Sequence, residues 1–245
     1  MFENILSGII VFVLTASATY ICTKIYPWYK ECHIFRRMES EITIFPSKVE
    51  MSDLDPYKSG TLSIPLGDAL ALSKVLFIIT GLRKKNKKDY FIVNNPNTWD
   101  RNKLDNLIII GGPMYNQAAR CILKEISSKL PYQFKRVIDE NYNDVDIKYK
   151  SLVCQRNKGV QISVTEHLDN DYGTLIVVRN PYNIKKWVIL IAGLSPTSTY
   201  GAIKSLEMLT FSTAMKYRNK EFQLIIKCVG SNSDCNYEII DKHLL

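Results

Sequence analysis

Leu107-Ile108-Ile109-Ile110-Gly111-Gly112-Pro113-Met114-Tyr115-Asn116 is the stretch on which the fold turns. Branched apolar residues in a row, without alternation, predict a strand covered on both faces of a sheet. Gly111 and Gly112 then allow a sharp turn or a close backbone approach. Asn116 stands where it can cap the helix predicted from Gln117 to about Ser128, which ends before Pro131. A buried strand that passes through glycines into a helix N-terminus is a common cradle for an anion or a nucleotide.

A second unit of the same kind lies downstream. Trp187 to Ala192 predicts another buried strand, which leads through Gly193-Leu194-Ser195-Pro196-Thr197-Ser198-Thr199 into a helix from near Tyr200 to about Lys216. Just before it, Asn180-Pro181-Tyr182-Asn183 supplies two amides and a ring suited to stacking on a base. Loops that follow parallel strands line the crevice where ligands bind in open α/β sheets. The expected ligand contacts are therefore Gly111, Gly112, Asn116, Asn180, Asn183, Gly193, Ser195, Thr197, Ser198 and Thr199, with groups suited to phosphate or ribose oxygens. Neither loop is a GxGxxG or a GxxxxGK[ST] sequence.

Working outward, Gly67 to about Gly81 predicts a helix with Asp68 in its first turn, and Asp89 to Val93 a short strand. Strands are expected at 134–138, 147–153, about 160–164 and 174–178, with a turn at 169–173, as an antiparallel excursion between two α/β units. Strands at 222–229 and 237–240 close the chain. The fold class expected is α/β: a Rossmann-like three-layer domain with a mostly parallel sheet and an antiparallel insertion, preceded by one transmembrane helix.

The transmembrane expectation comes from Ile5 to Ile25, which carries no charge except Lys24 and is long enough for a bilayer core. Tyr26, Trp28 and Tyr29 follow at the position of interfacial aromatics. Ala16-Ser17-Ala18 has the look of a signal-peptide cleavage site, but Glu3 and the lack of a basic start favour an uncleaved anchor. Lys24, Lys30, Arg36 and Arg37 put the following chain in the cytoplasm. The division expected is an anchor at 1–27, a juxtamembrane connector at 28–46 closed by Pro46, and a cytoplasmic α/β domain at 47–245, located at the cell membrane.

Composition narrows the function classes. A hydrophobic share of 46% with 23% charged residues excludes a disordered chain. The net charge of +8 is scattered apart from Arg83-Lys84-Lys85-Asn86-Lys87-Lys88, read as a solvated turn. Without an aromatic groove beside it, nucleic acid is not the expected partner, and an anionic membrane surface explains the charge more simply. The 6 cysteines form no CxxC pair and read as free thiols. None of the 3 histidines (His33, His167, His243) falls on a candidate loop, so no metal site is expected. Glu166, Asp169 and Asp171 read as surface acids at a turn, Cys121 as core, and Ser195 stands outside any GxSxG elbow. No catalytic residue or cofactor is identified.

Gly111-Gly112-Pro113-x-x-Asn116, Asn180-Pro181-Tyr182-Asn183 and Ala192-Gly193-Leu194 with Gly201-Ala202 together resemble a Rossmann-like domain of prokaryotic S-layer-type and signalling proteins, written GGPxxN, NPxN and AGxxxxG(T). The resemblance spans about residues 55 to 230, and Tyr200-Gly201 stands where that family carries Gly-Thr. It implies the fold and the site position and no reaction. The function expected is a membrane-anchored sensor or effector binding a nucleotide-like ligand and oligomerising at the membrane. The alternatives are a tethered enzyme that cleaves a nucleotide or ribosyl bond with Glu166 or Asp68, and an envelope scaffold without a ligand.

Overall fold

A computed structural model describes residues 11–17, 19–20, 34–38, 41–50, 62–83, 90–92, 98–137, 148–154, 161–163, 170–229 and 235–245. In chain order the elements are β1 (Ile42–Pro46), β2 (Val49–Glu50), β3 (Leu62–Ser63), α1 (Leu66–Arg83), β4 (Tyr90–Ile92), α2 (Trp99–Asn102), β5 (Asn106–Ile110) and α3 (Gln117–Ile126). They continue with β6 (Tyr132–Val137), β7 (Lys148–Cys154), β8 (Gln161–Ser163), β9 (Asn170–Asn180), β10 (Asn183–Gly193), α4 (Pro196–Met208), α5 (Phe211–Lys216), β11 (Phe222–Val229) and β12 (Asn236–Leu244).

Seven strands form the main sheet in the order β12-β11-β9-β10-β5-β1-β4. The pairs β1–β4, β1–β5 and β5–β10 are parallel, whereas β10–β9, β9–β11 and β11–β12 are antiparallel. The sheet is thus mixed rather than mostly parallel. The cause is β9, expected as part of the insertion but built into the main sheet as the hairpin partner of β10. The insertion itself is the separate antiparallel sheet β6-β7-β8.

The buried run that defines β5 has its counterpart in β10, and both pack on two sides. Ile108, Ile110, Ile189 and Ile191 face a core with Val75 and Ile78 of α1 and Ile203 and Leu206 of α4. Leu107, Ile109, Val188 and Leu190 face another, with Ala119, Ile122 and Ile126 of α3. One layer holds α1, α4 and α5, the opposite layer α2 and α3. Burying each such side chain contributes about 1.5–3 kcal/mol, so these two clusters hold the layers together.

Several expectations are corrected. The connector expected to run to 46 contains β1, which lies between β5 and β4 with all five residues buried. Ahead of it, Ile34, Phe35, Arg37 and Met38 are buried in the core as well. Ile42-Thr43-Ile44-Phe45 is as strand-forming as the opening stretch, and the connector ends before it. The turn expected at 169–173 is, from Asn170 on, the start of β9. The helix expected from Tyr200 begins at Pro196 and breaks at Leu209 and Thr210 into α4 and α5, because Thr210 caps a new helix by accepting from the Thr213 N–H. Gly81 does not end α1, which runs on to Arg83.

Residues 11–17 and 19–20 are helical with their side chains exposed, Phe12 at 73%. Among the described residues no helix is long and apolar enough to cross a membrane. Residues 1–10, 18 and 21–27 of the expected anchor lie outside the described residues, as do His33, His167, Glu166, Asp169 and most of the basic run at 83–88.

Candidate functional site

The strand order reverses between β1 and β5. The chain leaves β1 toward α1 on one face of the sheet, and leaves β5 toward α3 on the other. Loops that diverge in this way leave a crevice above the sheet edge. Ser47 ends β1 there, Gly111 and Gly112 end β5, Gly193 ends β10, and the antiparallel β9 begins there with Asp171. The N-termini of α1 and α4 meet at this edge: a Cβ on Gly67 would lie 1.9 Å from the Pro196 carbonyl oxygen.

Gly111 is required by its backbone, with φ at +105°, and its N–H donates to the Ile191 carbonyl at 2.8 Å. A Cβ there would lie 2.5 Å from Ser47 Cβ and 2.9 Å from Asp68 Oδ2, and one on Gly112 would lie 2.5 Å from the Gly193 oxygen. The two glycine loops read from the sequence are therefore pressed together, as expected.

Their polar groups are spent differently from the expectation. Asn116 is buried, its amide donates to the Phe45 and Ile110 carbonyls at 2.9 Å each, and its oxygen accepts from the Ala119 N–H at 3.2 Å. Ser195 is the N-cap of α4, accepting from the Thr197 and Ser198 N–H groups at 3.1 and 3.3 Å. Ser198 completes a capping box: its hydroxyl accepts from the Ser195 N–H at 3.1 Å and donates to the Ser195 carbonyl at 3.0 Å. The Thr199 hydroxyl donates to that carbonyl at 3.1 Å. These side chains hold the turn, which explains why hydroxyls crowd this loop. Thr197 lies in the same first turn.

Asn180 and Asn183 are not part of this group. They flank the hairpin between β9 and β10, a full strand length from Gly193, at the opposite edge. The Asn180 amide donates to the Lys103 and Asp105 carbonyls at 2.8 Å each, and that of Asn183 to the Leu104 carbonyl at 2.9 Å. Tyr182, expected to stack on a base, packs edge-on against Trp99 with centroids 5.8 Å apart. Proximity in sequence to β10 misled because the approach to a strand and the exit from it lie at opposite sheet edges.

Two carboxyls occupy the crevice edge. Asp68 is 4% exposed and accepts from the Ser47 hydroxyl through Oδ2, while Oδ1 has no hydrogen-bond partner. Burial pushes its carboxyl above the usual range, against the nearby hydroxyls of Ser47 and Thr199. Asp171, read as a surface acid, accepts from the Ser195 hydroxyl and from the Tyr172 N–H at 2.8 Å, and burial raises it too. Negative charge at helix N-termini is favourable to the helices, but it repels an anion at the same place. The edge suits a ligand that donates hydroxyl or amino protons. The hint for Asp68 was an acid behind Gly67 in a helix with no other acid; Ser47 carried no signal of its own.

Cys121 and Cys228 are free thiols, and burial pushes the Cys228 thiol up. Among the described residues no cluster of His, Cys, Asp and Glu stands together to hold a metal. The chain matches no protein-family model, and no curated protein is similar to it in sequence.

Proposed function

We propose that this chain is a single-pass membrane protein whose cytoplasmic, Rossmann-like α/β domain binds a nucleotide-like ligand and acts as a sensor or effector in signalling or defence, oligomerising at the membrane. The observation that carries the ligand is the unpaired Oδ1 of Asp68 at the strand-order reversal. A buried acceptor without a donor costs about 1–3 kcal/mol, which a ligand hydroxyl would return on binding. Ribose hydroxyls are the part of a nucleotide that fits Asp68. The phosphates then point outward past Gly112 and Leu194, which are partly exposed. The anchor is supported by the exposed apolar helical residues from Val11 to Leu14.

The test is a thermal-shift screen of the full chain in detergent against adenosine, AMP, ATP, cyclic AMP and NAD. A binder at a hundred times its Kd adds about 2.7 kcal/mol, or roughly 6 °C or more for a domain of this size. No shift with any of them counts against the reading. A second reading, a tethered enzyme that cleaves a ribosyl bond, is favoured by the upward shift of Asp68 and Asp171, since a carboxyl that keeps its proton is what a general acid needs. Incubation with NAD and nucleosides at high protein concentration without product would count against it.

A further inference from the structure

The outward sides of the two helical layers differ. On α3 the exposed positions are Gln117, Arg120, Lys124 and Glu125, an ordinary polar face. On α1 they are Leu66, Leu70, Ser73, Phe77 and Thr80, recurring at alternate steps of four and three along one stripe. Leu66 is 75% exposed and Phe77 65%, and Met208 and Met215 add exposed thioethers on α4 and α5. Large apolar side chains exposed along one helix stripe suit a contact.

Charge says what the contact is. In α1, α4 and α5 the acids are Asp68, which is buried, and Glu207, which Lys74 and Lys204 bridge at 2.8 and 3.1 Å. Around α5 stand exposed Lys216, Arg218 and Lys220 with no acid among them. An apolar stripe with uncompensated cations on a neighbouring helix of the same layer is the composition of a surface that lies on anionic lipid headgroups.

The chain path agrees. Ile34, Phe35 and Met38 enter the same core as α1, α4 and α5, and Arg37 donates to the Tyr217 and Lys220 carbonyls at 3.0 and 2.9 Å. The apolar N-terminal span ends at Ile25, and the nine residues from Tyr26 to Ile34 reach at most about 30 Å. A bilayer holding that span is therefore tethered to the side of the core that Ile34 and Phe35 enter.

We infer that the outward face of α1, α4 and α5 docks on an anionic membrane surface, with Leu66, Leu70, Phe77, Met208 and Met215 at the acyl boundary and Lys216, Arg218 and Lys220 at the headgroups. The choice of this layer over the other rests on the anchor proposed above; the apolar and basic composition does not.

The test places the full chain in vesicles carrying lipids brominated near the headgroup. In phosphatidylserine-rich vesicles the added tryptophan of Phe77→Trp is quenched roughly twofold more than that of Ile184→Trp, whose position is 76% exposed at the start of β10 and outside the three helices. The excess disappears in neutral vesicles and in the variant with Lys216→Glu, Arg218→Glu and Lys220→Glu. Equal quenching of the two tryptophans in anionic vesicles overturns the proposal, whether the face stays in water or pairs with a second copy. Release of the chain by an alkaline carbonate wash would refute the anchor alone, because the quenching is read before the wash.

Discussion

The two edges of the main sheet are built from similar residues put to opposite use. At the edge where β9 turns into β10, Asn106, Asn180 and Asn183 are bonded to main-chain groups on neighbouring segments. Asn106 accepts from the Trp187 N–H at 2.9 Å, and Asn180 also accepts from the Tyr182 N–H at 2.9 Å. Arg37 and Arg179 cover Trp187 there, their guanidinium carbons 4.6 and 3.9 Å from the ring centroid. Burial and the neighbouring Arg179 lower Arg37 to about 10. Arg37 leaves its Nε unpaired there, whereas at the other edge the unpaired atom is an acceptor, Asp68 Oδ1. A satisfied buried polar group fixes geometry, whereas an unsatisfied acceptor is a cost that a ligand's donor would offset.

Breaking either edge tests that contrast. The largest effect is expected for Gly111→Ala, which combines a forbidden φ of +105° with a Cβ 2.5 Å from Ser47 Cβ. It should lower stability by about 3 kcal/mol in urea unfolding. Asn180→Ala removes two donated bonds and one accepted one from a side chain that is 0% exposed, and should cost about 2 kcal/mol. That loss should leave ligand binding unchanged, because the residue stands a strand length from the crevice.

Titration separates two carboxyls of the domain more finely. The folded state raises Asp68 above its unfolded value, so its contribution is complete in acid and is lost as pH rises through the raised value. Asp241 behaves oppositely. Burial works to raise it, but the hydrogen bond from Tyr132 at 2.7 Å and the adjacent His243 outweigh this and hold it low. Its contribution is present above the ordinary carboxylate range and is lost as pH falls through the lowered value. Relative to the wild type, Asp68→Asn should gain stability as pH rises from acid to neutral, and Asp241→Asn should lose it over the same rise. Urea midpoints across that range check both signs, and two slopes of the same sign would break the contrast.

The sheet's centre was legible because β5 and β10 are uninterrupted branched runs, and burial on both faces writes itself into composition. The two glycine loops were legible as close neighbours for the same reason. β1 was obscured by its proximity to an apolar N-terminal span, and β9 by Asp169-Asn170-Asp171-Tyr172-Gly173, whose composition reads as a turn. That Gly173 serves a close approach instead: a Cβ on it would lie 2.2 Å from the Ser198 carbonyl oxygen. The closeness of the two loops was legible, but the roles of their side chains were not. Capping hydroxyls and ligand hydroxyls are the same residues in a sequence, and only the hydrogen-bond pattern separates Ser195 and Ser198, which hold a helix end, from Asp68.

Asp68→Asn therefore tests the central claim most directly. The amide keeps an oxygen to accept from Ser47 and removes the carboxyl that a ligand hydroxyl would meet. Isothermal titration of the full chain with adenosine, AMP and NAD should give binding by the wild type and at least about a tenfold weaker Kd for Asp68→Asn, with both proteins folded by circular dichroism. Equal affinities for the two, or no heat with any of the three, would contradict it.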